Sequence, residues 1–269
     1  MKNALFTTRN LTCGYTTRPV VHNVSFALQA GDFVGVIGPN GCGKSTLIRA
    51  LTGILKPTAG QVYLKGENIQ SLSRRDMARH IAVIPQDTGF FFGFSVLEMV
   101  LMGRTPHLKR LQRAGKRDHA LALEALQKTD LLPLKDRKLT ELSGGERQRA
   151  VIARALAQEP EILLLDEPDS HLDIGHQMEV FDLLRELNCI QSLTLFCVSH
   201  NLNLAAAYCH RLMLMQAGRI VATGTPADVI TPEHIYALYG IHAAVHPSPV
   251  DGSPQITPHT NPIARQMAP

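Results

Sequence analysis

The sequence predicts an α/β fold built on a mostly parallel sheet, and three observations carry that expectation. Short apolar runs that end in glycine or carboxylates, FVGVI and EILLLDEP, read as strands buried on both faces. Stretches with apolar residues at helical spacing, such as ERQRAVIARALAQ, alternate with them. The 269 residues are 45% hydrophobic and 19% charged, enough for a sizeable core and opposed to disorder. No internal repeat is visible at periods of about 20–50 residues, which argues against a solenoid.

In chain order, FVGVI (Phe33–Ile37) is a buried strand and LIRALTG after it a helix. VYL and AVI, near Tyr63 and Val83, read as strands. From Ser95 to about Asp130 the pattern is helical, first VLEMVLMG and then KRDHALALEALQKTD. Residues 146–158 form the next helix, and EILLLDEP a central parallel strand. A helix over 177–187, the strand LTLFCV, a helix over 202–208 and two short strands, LMLM and RIVA, follow. After about Gly240 the composition shifts: residues 241–269 hold six of the sixteen prolines. Asp251-Gly252, between AAVHPSPV and SPQITP, is a hairpin signal, restricted by the prolines to an edge element. A small hairpin and a frayed end beyond about Thr260 are expected, with a disordered tail from 241 onward as the alternative.

Several function classes are disfavoured. Lys+Arg 27 against Asp+Glu 23 gives a formal +4, too weak to argue for nucleic acid or an anionic membrane. Trp is absent and aromatics are 5%, which opposes a base-stacking platform. No run reaches the roughly 20 apolar residues of a spanning helix, and 94–103 is short and carries Glu98. The start, MKNALFTTRN, turns polar too early for a signal peptide. Five cysteines without CxxC spacing read as reduced thiols of a cytosolic chain rather than as disulfides or a zinc site.

GPNGCGKS matches G-x-x-x-x-G-K-[ST] between a strand and a helix, the context that gives this pattern meaning. Gly38, Pro39, Asn40, Gly41, Cys42 and Gly43 form the loop. Its glycines allow tight wrapping, so that N–H groups at Asn40, Gly41, Gly43 and Lys44 point at phosphate oxygens. The following helix adds the positive end of its dipole. Lys44 supplies a mobile charge for β- and γ-phosphates, and Ser45, followed by Thr46, offers a hydroxyl to Mg²⁺. Such a loop alone does not separate kinases, GTPases, helicases and transport ATPases.

LSGGERQR lies downstream. Ser143, Gly144 and Gly145 open a helix and make a second anion-binding N-terminus. An ordinary capped helix, Ser143 with Glu146 as a capping box, is an equally valid description, and the two are compatible. One chain with one nucleotide has little use for two phosphate caps, whereas two chains packed head to tail use both. LLLDEP ends its strand in adjacent carboxylates. Alternation lets Asp166 face a Mg²⁺ shell while Glu167 faces the γ-phosphate and its attacking water. An acidic pair capping a helix is the plainer alternative.

GPNGCGKST, LSGGERQ, LLLDEP and VSH, in this order and spacing, resemble the nucleotide-binding subunit of an ATP-binding-cassette (ABC) transporter over roughly residues 5–240. The resemblance implies a P-loop NTPase with a RecA-like core, an antiparallel β subdomain and a helical subdomain at about 90–155 that docks on a permease. It implies that Tyr15 stacks on adenine, Gln86 links Mg²⁺ and water to the transporter contact, and Ser143, Gly144 and Gly145 cap the partner chain's nucleotide. It also implies that Glu167 is the catalytic base, that Ser170 to Asp173 speaks across the dimer, and that His200 contacts the γ-phosphate. Outside the pattern, Tyr15 and His200 would be taken as structural, as the other eleven histidines are. The implied ligands are ATP and Mg²⁺. The implied partners are a second copy, membrane permease subunits and, indirectly, a substrate-binding protein, with the chain peripheral on the cytoplasmic face of the inner membrane.

The stretch SVLEMVLMGRTPHL resembles importers of metal chelates: siderophore-bound iron, haem or cobalamin. Read without that resemblance, it is an amphipathic helix on its own domain, with Arg104 a surface charge. Cassette ATPases of DNA repair, chromosome structure or translation are the competing class, but the insert is short and shows no sustained heptads. One departure stands out: Asp169 follows Glu167-Pro168 where the family often has threonine. A third carboxylate there is expected to raise the pKa of Glu167 and alter hydrolysis slightly.

Overall fold

The computed structural model describes residues 4–15, 18–86 and 93–259, so the end expected to fray beyond Thr260 lies outside the described residues. The strands are β1 (Phe6–Cys13), β2 (Val21–Leu28), β3 (Phe33–Ile37), β4 (Ala59–Leu64), β5 (Glu67–Asn68), β6 (Ile81–Ile84), β7 (Ile162–Asp166), β8 (Thr194–Val198), β9 (Arg211–Gln216), β10 (Arg219–Gly224), β11 (Ala243–Pro247) and β12 (Pro254–Pro258). The helices are α1 (Lys44–Leu51), α2 (Arg74–His80), α3 (Val96–Leu101), α4 (Lys116–Lys128), α5 (Gly144–Ala157), α6 (Ile174–Gln191), α7 (Leu202–Tyr208), α8 (Pro226–Val229) and α9 (Pro232–Tyr239).

The central sheet has the order β10-β9-β3-β8-β7-β6, parallel except for β10 at one edge. Every residue of β3 and β8 is buried, as expected of strands covered on both faces. Alternate residues feed two cores. Phe33, Leu163, Leu165 and Leu195 join α3, α4, α5 and α6 on one face. Val34, Val36, Leu164 and Phe196 join α1 and a second, antiparallel sheet, β2-β1-β4-β5, on the other.

The strands β1 and β2 were not legible as strands, and β1 shows why. Its buried residues are Phe6, Thr8, Leu11 and Cys13, and the register shifts between Thr8 and Leu11 around Asn10 at φ 49°. The bulge breaks the period of two in mid-strand.

Two expectations for the segment after β6 are corrected. The helical run over 95–130 is not continuous: α3 passes into a 3₁₀ turn over Met102–His107 containing Pro106, and α4 starts only at Lys116. Arg104, taken as a surface charge, is 3% exposed. Its guanidinium donates to Asp118 Oδ1 at 3.1 Å, to the Ala157 carbonyl at 2.6 Å and to Glu159 Oε2 at 2.8 Å. It is therefore a strut joining the 3₁₀ turn, α4 and the end of α5. Helix α6 begins at Ile174 rather than 177, because Asp173 caps it by accepting the His176 N–H at 2.9 Å.

Past α9, β11 and β12 pair antiparallel, and Gly252 in their connection has φ 73°. The hairpin leans on α7, where Asn203 Oδ1 accepts the Ile256 N–H at 2.9 Å. Among the described residues no helix is long and apolar enough to cross a membrane. The five cysteines are free, and all but Cys189 are buried.

Candidate active site

Because β3, β8, β7 and β6 are parallel neighbours, the loops leaving their C-terminal ends emerge side by side. The first delivers residues 38–43, the second Ser199 and His200, the third Glu167 and the fourth Gln86. This convergence assembles side chains far apart in sequence.

Gly43 has φ 107°, in the left-handed region that glycine adopts without strain, and turns the loop into α1 with no side-chain cap. Lys44 is buried, and its Nζ donates to the carbonyls of Gly38 at 2.8 Å and Pro39 at 3.1 Å. The charge is thus held over the loop that would receive phosphates. A cavity of about 330 Å³ opens there, bordered by Asn40, Gly41, Gly43, Lys44, Ser45, Thr46, Gln86 and Glu167. The Cys42 thiol is buried and pushed up by that burial, so Cys42 serves the loop through its backbone, whose carbonyl accepts the Gly218 N–H at 2.9 Å.

Ser45 Oγ donates to Asp166 Oδ1 at 3.1 Å. Burial is the main reason the Asp166 carboxyl lies above its ordinary range. Glu167 adds to the shift, while the Ser45 hydroxyl and Lys44 oppose it. A hydroxyl, a carboxylate and the Gln86 amide form an oxygen donor set that suits a hard cation such as Mg²⁺. A cation there would offset the burial that raises the Asp166 carboxyl.

Glu167 Oε2 accepts from Gln86 Nε2 at 2.8 Å and lies 3.5 Å from His200 Nδ1. The Glu167 backbone is left-handed, φ 52°, and its N–H is tied to the Val198 carbonyl at 2.9 Å. Such strained residues persist where the surroundings hold them, and they cluster at functional sites.

Asp169 is fully buried, and its Oδ2 accepts from the Ser199 hydroxyl at 3.4 Å. Its carboxyl lies above the ordinary range, chiefly through burial, with Glu167 adding to the shift and His200 opposing it.

Tyr15 is half exposed and is anchored from α1: Arg49 Nη1 donates to its hydroxyl at 2.7 Å. The sequence reading missed Arg49, whose only signal is its place one turn beyond Lys44. The structure does not bring Ser143, Gly144 and Gly145 to this cavity. They begin α5, where Ser143 Oγ accepts the Glu146 N–H at 3.2 Å and Glu146 Oε2 accepts the Ser143 N–H at 2.7 Å. That backbone hydrogen bond is the main cause holding the Glu146 carboxyl below its usual range. A Cβ on Gly145 would lie 2.1 Å from the His176 ring, so α5 and α6 meet here only because that residue is glycine. A further cavity of about 420 Å³ lies at the opposite ends of the strands, where Lys128 pairs with Glu124 and Glu161 with Lys65.

A glycine-rich loop between strand and helix, with strand-end carboxylates beside it, defines a P-loop nucleoside triphosphatase. Comparison with known proteins narrows the class. The ABC transporter family model matches residues 21–170. The ferric enterobactin transport ATP-binding protein FepC of Escherichia coli (strain K12) is 42% identical over 248 residues, covering 92% of each chain. A metal-chelate type ABC transporter solved in an inward-facing conformation superposes with a TM-score of 0.84 at 31% identity, over 97% of this chain and 98% of that one. A dimeric ATP-binding cassette in a post-hydrolysis state with ADP and Pi superposes with a TM-score of 0.71 at 28% identity, over 82% of this chain and 98% of that one. The chain belongs to the ABC transporter family and is one of its ATP-hydrolysing cassettes.

Proposed function

We propose that this chain is the motor subunit of an importer of metal chelates such as ferric siderophores, haem or cobalamin. The observation that carries the substrate class is the 42% identity to a ferric enterobactin transport ATPase, over nearly the whole of both chains. The fold agreement with a metal-chelate type transporter supports it. Permease subunits supply the membrane path, a binding protein delivers the chelate to them, and this chain sits peripherally on their cytoplasmic face. The segment between β6 and β7 is the part that docks. Its longest helix before α5, the 13-residue α4, leaves no room for the long coiled coil of a DNA-repair cassette.

The geometry supports the following catalytic roles. On ATP binding, Lys44 exchanges the Gly38 and Pro39 carbonyls for β- and γ-phosphate oxygens. The N–H groups of residues 40–44 surround the phosphates, and Tyr15, held by Arg49, supports the adenine. Ser45, Asp166 and Gln86 would hold Mg²⁺, which when bound neutralises charge on the phosphates. Glu167 Oε2 orients the attacking water and takes its proton, and His200 holds the γ-phosphate. Ser143, Gly144 and Gly145 of a second copy close the site from the other side. ATP thereby joins two chains head to tail, and its hydrolysis releases them.

The test is purification from membranes with whatever permease accompanies the chain, followed by ATPase assays in vesicles with candidate chelates and their binding proteins. Turnover stimulated by a chelate-loaded binding protein is expected. Co-purification with nucleic acid or ribosomes instead, or a permease complex indifferent to every chelate, would refute the assignment.

A further inference from the structure

We propose that Asp169 is a positioning residue for hydrolysis: its carboxyl bonds Ser199 and so clamps the Glu167 turn to the strand end that carries His200. The inference rests on the reading of Glu167 and His200 as the pair that acts at the γ-phosphate.

Asp169 lies in the turn that follows β7, two residues past Glu167. Its side chain is fully buried, Oδ2 is 3.4 Å from Ser199 Oγ, and Oδ1 has no hydrogen-bond partner among the described residues. Ser199 Oγ in turn accepts the Asn201 N–H at 3.0 Å, and Asn201 caps α7 by accepting the Leu204 N–H at 3.1 Å. His200 therefore sits between two residues of one chain of hydrogen bonds that starts at Asp169. On its other side Asp169 is held through its carbonyl, which accepts from Gln177 Nε2 of α6 at 3.2 Å.

This clamp has strain to hold. Glu167, two residues earlier, is left-handed at φ 52°, and His171, two residues later, at φ 63°. A hydrogen bond in a dry interior fixes their spacing to His200 more firmly than a solvated one. An ionised carboxylate with one bare oxygen is costly in such a place. The Ser199 hydroxyl, donating to Oδ2, offsets part of that cost, and burial pushes the Asp169 carboxyl toward its neutral form. Asparagine has the same shape and offers its amide oxygen to the same hydroxyl.

The experiment measures kcat and KM for ATP, with Tm, on the full chain carrying Asp169→Asn, Asp169→Ala, Ser199→Ala and the alanine pair, beside Glu167→Gln. Misplacing the pair by a fraction of an ångström should lower kcat about 10-fold in both single alanine variants, with KM nearly unchanged. The double variant should be no slower than Asp169→Ala alone, and Asp169→Asn should keep kcat near that of the unaltered chain. Full kcat in Ser199→Ala, strictly additive losses in the pair, or an Asp169→Asn as slow as Asp169→Ala would overturn the clamp. If Asp169→Ala does not fold, Ser199→Ala and Asp169→Asn decide by the same readings. An active Glu167→Gln would instead remove the reading on which the clamp rests.

Discussion

The two helix N-termini offered to phosphate, at α1 and α5, are built in opposite ways. Helix α1 starts from Gly43 with no side-chain cap, above a cavity. Helix α5 starts from Ser143 with a closed capping box. The first leaves its orphan N–H groups for a ligand, beside its own Lys44 and with Asp166 and Glu167 from the end of β7 close by. The second satisfies Ser143 and Glu146 against each other and meets none of those side chains. One end is thus a binding site within a single chain. The other is closed by its own capping box without nucleotide and, in the proposed function, meets a second chain.

Substitutions at the two ends should separate accordingly. The largest effect is expected from Glu167→Gln, which removes the base and should cut turnover about 100-fold or more while ATP still binds. Radiolabelled nucleotide binding beside phosphate release checks it, and rapid hydrolysis by the variant would remove Glu167 from its role. Lys44→Ala should weaken ATP binding to the single chain about 10- to 100-fold, because a charged donor is lost. Ser143→Ala should leave single-chain binding unchanged and cost α5 about 1 kcal/mol of cap. Isothermal titration at concentrations that keep the chain monomeric distinguishes the two, and equal losses would erase the contrast.

Next comes Arg104→Ala. It strips a buried guanidinium from Asp118 and Glu159 and should destabilise the fold by about 3 kcal/mol in denaturant unfolding. Single-chain ATP affinity should stay within twofold, since Arg104 touches no loop of the phosphate site. A parallel loss of affinity would show that the insert and the phosphate loop are not separable. The smallest effect concerns acid. Glu146 is held below its usual range by the Ser143 N–H, so its contribution is complete above the ordinary carboxylate pKa, ~4. It is lost as pH falls through the lowered value. Amide exchange at Gly144 to Glu146 should accelerate, relative to the rest of α5, only in that acid window. The start of α1 has no such carboxylate cap and should show no matching step.

The same contrast explains what was legible in the sequence. The geometry of the loop over residues 38–43, of the Ser143 cap and of the strand end at Asp166-Glu167 was readable because short runs of glycine, serine and proline encode it locally. Asp169 was visible as a departure, yet its role was not, because its partner Ser199 lies 30 residues away. Arg104 failed for the same reason: a charge reads as exposed until Asp118 and the end of α5 close over it. The Arg49 bond to Tyr15 spans 34 residues. The pattern for β1 was obscured by its bulge, and the break before α4 by helix-forming residues on either side of it. Local chemistry survives in one-dimensional patterns, and tertiary override does not.

The central claim is that ATP is bound by one chain and closed over by another. Its most direct test is the assembly state of the Glu167→Gln chain, with and without Ser143→Arg, across an ATP titration in analytical ultracentrifugation. A two-chain species should appear with ATP and vanish with Ser143→Arg, although each chain still binds nucleotide. Dimers that persist through Ser143→Arg, or nucleotide binding lost with it in the single chain, would contradict it.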